Sequence, residues 1–178
     1  MFKKLNKLIK LLKLFLEEPT REFNVREVAR LLRISPATAS KELKLLVKEG
    51  LLKERRERML KLYRANLESD FYKDIKVFYN IRKIKDSGLI EELNNFYLKP
   101  TIILFGSCAD GMDTETSDID LLIISEKTEE FPNIKKFERK LKRRIQLFVI
   151  KEIKDLKNEH LINNILNGIV IQGRVRWM

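Results

Sequence analysis

Three apolar segments in the second half of the chain constrain its fold most strongly. They cover residues 101–105, 118–124 and 145–150. Apolar runs of this length that end at turn residues are typical of strands buried on both faces of a sheet. Helical patterns lie beside them, at residues 88–98, 133–143 and 152–166. This alternation predicts an α/β (α+β) fold in which helices flank a small mixed sheet.

A sharp turn and two carboxylates adjoin the first two of these strands. Gly106 lets the chain turn directly off its strand, and the hydroxyl of Ser107 and the amides that follow it favour an anion. Asp118 and Asp120 are two residues apart on the next strand, so both carboxylates point to the same face. Two hard oxygen ligands beside a phosphate site are what Mg²⁺ with a nucleoside triphosphate requires. The sequence contains no P-loop, which would end in Gly-Lys-Ser or Gly-Lys-Thr.

The composition excludes several kinds of site. The chain has one cysteine, Cys108, and one histidine, His160. These cannot form an intrachain disulfide or a zinc site of Cys/His type. The apolar runs are shorter than the roughly 20 residues of a membrane span, and lysines interrupt the amino-terminal segment where a signal peptide would be apolar. We therefore expect a cytoplasmic protein without a membrane partner.

The net charge of +11 comes from one half of the chain. Residues 1–84 hold 22 Lys and Arg against 11 Asp and Glu, whereas residues 85–178 hold 15 of each kind. This asymmetry indicates two modules with different partners, of which the first would bind a polyanion. A solvated, lysine-rich surface is the alternative explanation.

The basic half predicts three helices followed by a hairpin. An amphipathic pattern over residues 3–17 predicts the first helix. Asn24 is the predicted N-cap of a short second helix, and Ser35 is the predicted N-cap of a third helix over residues 36–48. The hairpin has strands at residues 52–54 and 60–63 and a basic tip at residues 55–58.

This order of elements resembles a winged helix-turn-helix, the fold of many prokaryotic transcription regulators. The resemblance is carried by ISPATASKELKLLVKEGLL at 34–52 and by KLYRAN at 61–66, and it implies a DNA-binding domain over residues 1–66. The residues that it places on double-stranded DNA are Ser35, Ala37, Ser40, Lys41, Lys44, Arg55, Arg56 and Arg58. Their basic members would mostly meet phosphates. A winged helix that contacts a protein instead is the alternative.

Residues 67–87 are predicted to form a linking helix. Its apolar stripe contains Phe71, Ile75 and Phe78. Such stripes are mostly packing surfaces, but linker helices are also a common dimer surface in winged-helix regulators. A homodimer is therefore a further hypothesis.

The segment FGSCADGMDTETSDIDLLII at 105–124 resembles the signature of the DNA polymerase β-type nucleotidyltransferase superfamily, and it is most similar to the small archaeal and bacterial domains. The matching residues are Gly106, Ser107, Ala109, Gly111, Ser117, Asp118 and Asp120. The resemblance implies a nucleotidyltransferase domain over residues 88–178, in which an acceptor hydroxyl attacks the α-phosphate of a nucleoside triphosphate. Asp118 and Asp120 would be the catalytic ligands of Mg²⁺. Gly106, Ser107 and Ser117 would bind the nucleotide.

The sequence departs from this family at Gln146, where the family carries a third carboxylate on the next strand. An amide carries no charge and cannot act as a base near neutral pH. Either the domain is slow, or another carboxylate substitutes, or the domain only binds nucleotide. Asp110, Asp113 and Glu115 are the candidates for substitution, although a solvated acidic loop is favoured. The basic run at 135–144 is interpreted as a solvated helix face, with contact to an acceptor nucleic acid or to a triphosphate as the alternative.

Three functional hypotheses follow from these patterns. The first is an enzyme that uses its winged helix to bind DNA or to regulate itself. The second is a DNA-binding transcription regulator whose nucleotidyltransferase domain is inactive and serves as a nucleotide sensor or scaffold, which Gln146 favours. The third is an antitoxin-like nucleotidyltransferase that modifies a partner protein.

Overall fold

The chain divides into two compact units, of which the first ends at Ile75 and the second begins at Lys76. The computed structural model describes residues 2–175, and it describes side chains from Lys10 onward. The predicted end of the second domain, residues 176–178, lies outside the described residues. Among the residues described, no helix has the length and the apolar character that crossing a membrane requires.

The first unit contains three helices and a small antiparallel sheet. Its helices are α1 (Phe2–Glu17), α2 (Val25–Leu32) and α3 (Pro36–Lys48), and its strands are β1 (Phe23–Asn24), β2 (Leu52–Glu57) and β3 (Leu60–Ala65). The strand order is β1-β3-β2. A fourth helix, α4 (Asp70–Asp86), contains the boundary between the units.

Local capping explains where α2 and α3 begin. The side chain of Asn24 accepts a hydrogen bond from the Glu27 amide at 2.9 Å, and the Ser35 hydroxyl accepts one from the Thr38 amide at 3.1 Å. Each bond satisfies an amide that the helix itself leaves unpaired. The two predicted N-caps are confirmed.

The hairpin differs from the prediction because its strands are longer. Glu57 pairs with Leu60, so Arg55 and Arg56 lie within β2 and only Arg58 and Met59 form the turn. The prediction that residues 55–57 lie between the strands is therefore wrong. Hydropathy did not predict this part of β2 because both of its faces are solvated and its pairing comes from the backbone ladder.

The second unit is built on a four-stranded mixed sheet. Its strands are β4 (Thr101–Phe105), β5 (Ile119–Ile124), β6 (Ile145–Ile150) and β7 (Ile169–Gln172), in the order β6-β5-β4-β7. Among the strands of the described residues, only β5 and β6 run parallel. The helices are α5 (Leu89–Tyr97), α6 (Ser107–Asp110), α7 (Ile134–Leu141) and α8 (Glu159–Leu166), with a 3-10 turn at Ile153–Asp155. This arrangement confirms a mixed α/β fold.

The two central strands, β4 and β5, are buried on both faces. Ile102 and Leu104 belong to one apolar cluster, whereas Ile103 and Phe105 belong to a second cluster on the opposite face. The register places Phe105 opposite Asp120, and it places Asp120 beside the first residues of β6. The end of β4 and the starts of β5 and β6 therefore meet at one end of the sheet.

Candidate active site and candidate nucleic-acid interface

The turn after β4 has room for no side chain. Gly106 adopts φ 66° and ψ −158°, a conformation that residues with a Cβ atom rarely adopt. A Cβ atom at this position would also lie 2.8 Å from Oδ2 of Asp120. Gly106 thus lets the chain enter α6 at Ser107 while the carboxylate of Asp120 lies against the backbone of the turn.

Two carboxylates lie on the same side of the sheet beside this turn. Asp118 immediately precedes β5, Asp120 lies within it, and Ile119 between them is 3% exposed and belongs to the core. Burial and the neighbouring charge of Asp118 raise the pKa of the Asp120 carboxyl, although Arg143 acts in the opposite direction. Two half-buried carboxylates at one place concentrate negative charge, which favours a cation there.

Gln146 lies next to both carboxylates. It is in register with Asp120 across the parallel pair of β5 and β6, and its Nε2 donates a hydrogen bond to Oδ2 of Asp118 at 2.5 Å. The family resemblance in the sequence places Gln146 at the position of the third carboxylate, and its side chain does face the carboxylate pair. In this protein the position supplies a neutral donor rather than a third negative charge.

The hydroxyl of Ser117 shapes the loop that leads to Asp118. It accepts a hydrogen bond from the Thr114 amide at 2.9 Å and lies 3.2 Å from the Thr114 hydroxyl. Its assignment as a nucleotide-binding residue stays a prediction.

Asp113 lies in a buried cluster that the sequence did not predict. Its carboxylate is fully buried and contacts Nζ of Lys76 at 3.1 Å, Nη1 of Arg143 at 2.6 Å and Nδ2 of Asn80 at 2.6 Å. The expectation of a solvated acidic loop is therefore wrong for Asp113, although Asp110 is exposed. The three contacts also commit Asp113 to a structural role, so it does not substitute for the missing third carboxylate.

Arg143 joins this cluster to the loop before β5. Its Nε donates to the carbonyl oxygen of Ser117 at 2.7 Å, and its Nη2 donates to the carbonyl oxygen of Asp118 at 3.0 Å. The interpretation of this residue as part of a solvated basic face is wrong. No pattern in the sequence separates it from Lys142 and Arg144, which are both exposed.

The family model described as polymerase beta, nucleotidyltransferase, matches residues 88–176, which is half of the chain. The chain belongs to this nucleotidyltransferase family. No curated protein matches the chain. The nucleotidyltransferase segment contains all four strands of the second sheet, the Gly106 turn and both carboxylates. Among residues 2–175, no group of three or more His, Cys, Asp and Glu side chains is arranged to hold a metal ion.

Outside the nucleotidyltransferase segment, α3 carries half of the predicted DNA-binding residues. Ala37, Lys41 and Lys44 recur at helical spacing and are exposed, whereas Ser40 is half-buried. Ser35 is exposed as well, but its hydroxyl is used to cap the helix. The exposed lysines give this face a positive charge.

The three predicted arginines of the hairpin have different surroundings. Arg55 is held by Glu22, with nitrogen–oxygen distances of 3.1 and 2.7 Å, and by Glu57 at 2.8 Å. Hydrogen bonding to Glu22 raises the pKa of Arg55 and lowers that of Glu22. Arg56 lies 3.9 Å from a carboxylate oxygen of Glu54. Arg58 forms the turn with φ 54°, and within the described part of the chain it makes no ion pair. Arg58 therefore has the most available charge of the three.

We predict that the thiol of Cys108 in the nucleotidyltransferase domain is unreactive while the protein is folded. Burial raises the pKa of this thiol to about 12, and the reactive thiolate forms only as the pH approaches the pKa. A thiol reagent such as dithionitrobenzoate at pH 8 should label the native chain only slowly and the urea-unfolded chain at once. Equally fast labelling of both states would contradict the burial.

Proposed function

We propose that the nucleotidyltransferase domain binds a nucleoside triphosphate with Mg²⁺ and transfers the nucleoside monophosphate to an acceptor hydroxyl. The observation that carries this proposal is the meeting of Asp118 and Asp120 with the Gly106 turn at one end of the sheet. Family membership supports the same reaction class.

The carboxylate pair fits a magnesium ion. Carboxylate oxygens are the ligands that this ion prefers, and it commonly takes only one or two carboxylates together with phosphate oxygens and water. Asp118 and Asp120 would hold it, and their mutual repulsion supports a cation between them. When bound, Mg²⁺ would neutralise part of the negative charge of the triphosphate.

The chain's own residues would act mainly by positioning. Because Gly106 has no side chain, phosphate oxygens can approach the backbone of the turn, where the Ser107 hydroxyl and the first amides of α6 would donate hydrogen bonds. An acceptor oxygen placed in line would form a bond to the α-phosphorus, the bond to the bridging oxygen of the β-phosphate would break, and pyrophosphate would leave.

Gln146 supports a second function for the same site, which is nucleotide sensing without turnover. Its amide satisfies an oxygen of Asp118 and cannot accept the proton that the acceptor hydroxyl releases. A domain that holds nucleotide but transfers it slowly would serve as a sensor or scaffold in a transcription regulator.

We further propose that residues 1–66 form a winged helix-turn-helix that binds double-stranded DNA, and that residues 67–87 link it to a nucleotidyltransferase domain over residues 88–178. Support comes from the +11 charge of residues 1–84, from the exposed lysines of α3 and from the long β2–β3 hairpin. A protein surface is the alternative partner of the same face. Phe71 and Phe78 are exposed about two turns apart on α4, which supports the homodimer hypothesis.

We predict metal-dependent nucleotide binding that requires both carboxylates. Calorimetric titration of the full chain with each nucleoside triphosphate should show binding that depends on Mg²⁺. The variants Asp118→Asn and Asp120→Asn should weaken this binding by at least about 100-fold, because loss of a metal ligand lowers metal affinity more than loss of a residue that only orients a ligand. The variant Asp74→Asn, at an exposed position of α4, is the control. If no triphosphate binds the wild type, the proposed function is wrong.

We predict that Gln146→Glu raises the rate of transfer by about 100-fold, because a carboxylate at this position can accept the proton of the acceptor. The new charge would face Asp118, so the variant should also need more Mg²⁺ than the wild type. The measurement is release of pyrophosphate in single-turnover experiments, with Gln146→Asn as a neutral control. A rate that rises equally in both variants would show that loss of the Gln146 hydrogen bond to Asp118, rather than gain of a base, is responsible.

We predict that Lys41→Ala and Lys44→Ala each weaken binding to DNA and lower the slope of log affinity against log salt by about 1, since each lysine would neutralise one phosphate. A random-sequence duplex in a fluorescence-anisotropy titration measures this without a known target site. Lys10→Ala, at an exposed position of α1, should leave the slope unchanged. An equal fall in all three variants would indicate a general charge effect and no interface on α3.

A further inference from the structure

The backbone of Asp118 is not held by the sheet alone, because β5 begins one residue later at Ile119. The amide of Ile119 is paired with the carbonyl oxygen of Arg144 at 2.9 Å. The carbonyl oxygens of Ser117 and Asp118 both accept hydrogen bonds from the guanidinium of Arg143, at 2.7 and 3.0 Å. A single side chain therefore holds two consecutive peptide groups of the loop.

Arg143 is itself held in place by buried partners. Its Nη1 contacts the fully buried carboxylate of Asp113, and its Nη2 lies 3.1 Å from Sγ of Cys108. Asp113 is held from a second side by Lys76, whose side chain is 3% exposed, and by Asn80. The donors of the guanidinium have fixed directions, so partners on several sides leave it one orientation.

The charges of this cluster do not cancel within it. Lys76 and Arg143 contribute two positive charges, and Asp113 contributes one negative charge. Burial lowers the pKa of Lys76, and the charge of Asp113 opposes this effect. The nearby carboxylates of Asp118 and Asp120 carry charge of the opposite sign.

We propose that Arg143 is a positioning residue that fixes Asp118 for metal binding. The proposal rests on the function proposed for Asp118 as a metal ligand. The guanidinium acts through the peptide groups of the loop and not through contact with the nucleotide. Asp113 supports it by binding the guanidinium directly, and Lys76 and Asn80 hold the carboxylate of Asp113.

The variant Arg143→Lys separates the position of the loop from the charge of the cluster. Lysine keeps the positive charge and can pair with Asp113. Its single ammonium group cannot bind Asp113 and the two carbonyl oxygens of the loop at the same time, as the planar guanidinium does. The variant should therefore fold. Arg144→Lys is the matched control, because Arg144 is the next residue and its side chain is exposed.

The first measurement is amide hydrogen exchange of the full chain without any ligand. In Arg143→Lys, exchange of the amides of residues 114–119 should become at least tenfold faster, while exchange in β4 and in residues 120–124 of β5 stays as in the wild type. Arg144→Lys should show neither change. Unchanged exchange of residues 114–119 in Arg143→Lys would overturn the proposal, and equally faster exchange across the whole domain would reduce Arg143 to a general structural role and also overturn it.

The second measurement is binding of Mn²⁺ in the presence of a non-hydrolysable nucleoside triphosphate, followed by electron paramagnetic resonance. Removing a residue that orients a ligand typically weakens metal binding by about 10–100-fold, and this loss is expected for Arg143→Lys but not for Arg144→Lys. Wild-type affinity in Arg143→Lys would overturn the proposal. If the wild type itself binds no Mn²⁺ with nucleotide, the proposed function fails, and the exchange measurement alone decides whether Arg143 holds Asp118.

Discussion

The geometry of the nucleotidyltransferase domain depends on the ion pairs and the hydrogen bond that the fully buried carboxylate of Asp113 makes. It binds Lys76 and Asn80 of α4 and Arg143 just before β6, so it connects the loop that leads to Asp118 with two other parts of the chain. Asn80 also donates to the carbonyl oxygen of Cys108, which ties α4 to α6. Losing one partner of such a buried pair typically costs about 3–5 kcal/mol, because a charge is left uncompensated.

The parts of the fold that depend on local chemistry could be predicted from the sequence. The caps at Asn24 and Ser35 were predicted because capping needs only a side chain and an amide three residues away. The strands at 101–105 and 145–150 were predicted with their observed bounds because burial on both faces leaves an unbroken apolar run. In the candidate site, the Gly106 turn and the Asp118–Asp120 pair were found because a glycine directly after a strand and two carboxylates two residues apart are local patterns.

The parts that depend on tertiary contacts could not be predicted. Asp113 and Arg143 lie in an acidic loop and a basic run, and charged segments of this kind are usually solvated. Only the approach of α4 to the loop shows that both are buried partners. The length of β2 was missed because its arginines are exposed, and the pairing of Arg55 with Glu22 joins residues far apart in the sequence. The family resemblance places Gln146 at the position of the third carboxylate, but only the register of β6 with β5 shows its hydrogen bond to Asp118.

Asp118 and Asp120 are proposed to hold a divalent metal ion beside a triphosphate bound at the Gly106 turn. A crystal structure of the full chain with Mn²⁺ and a non-hydrolysable nucleoside triphosphate tests this arrangement, because anomalous scattering locates the metal. We expect one metal peak shared by the two carboxylates, because Gln146 adds no third negative charge, and we expect the phosphates at Gly106 and Ser107. Nucleotide and metal bound away from both carboxylates would show that the proposed site is wrong.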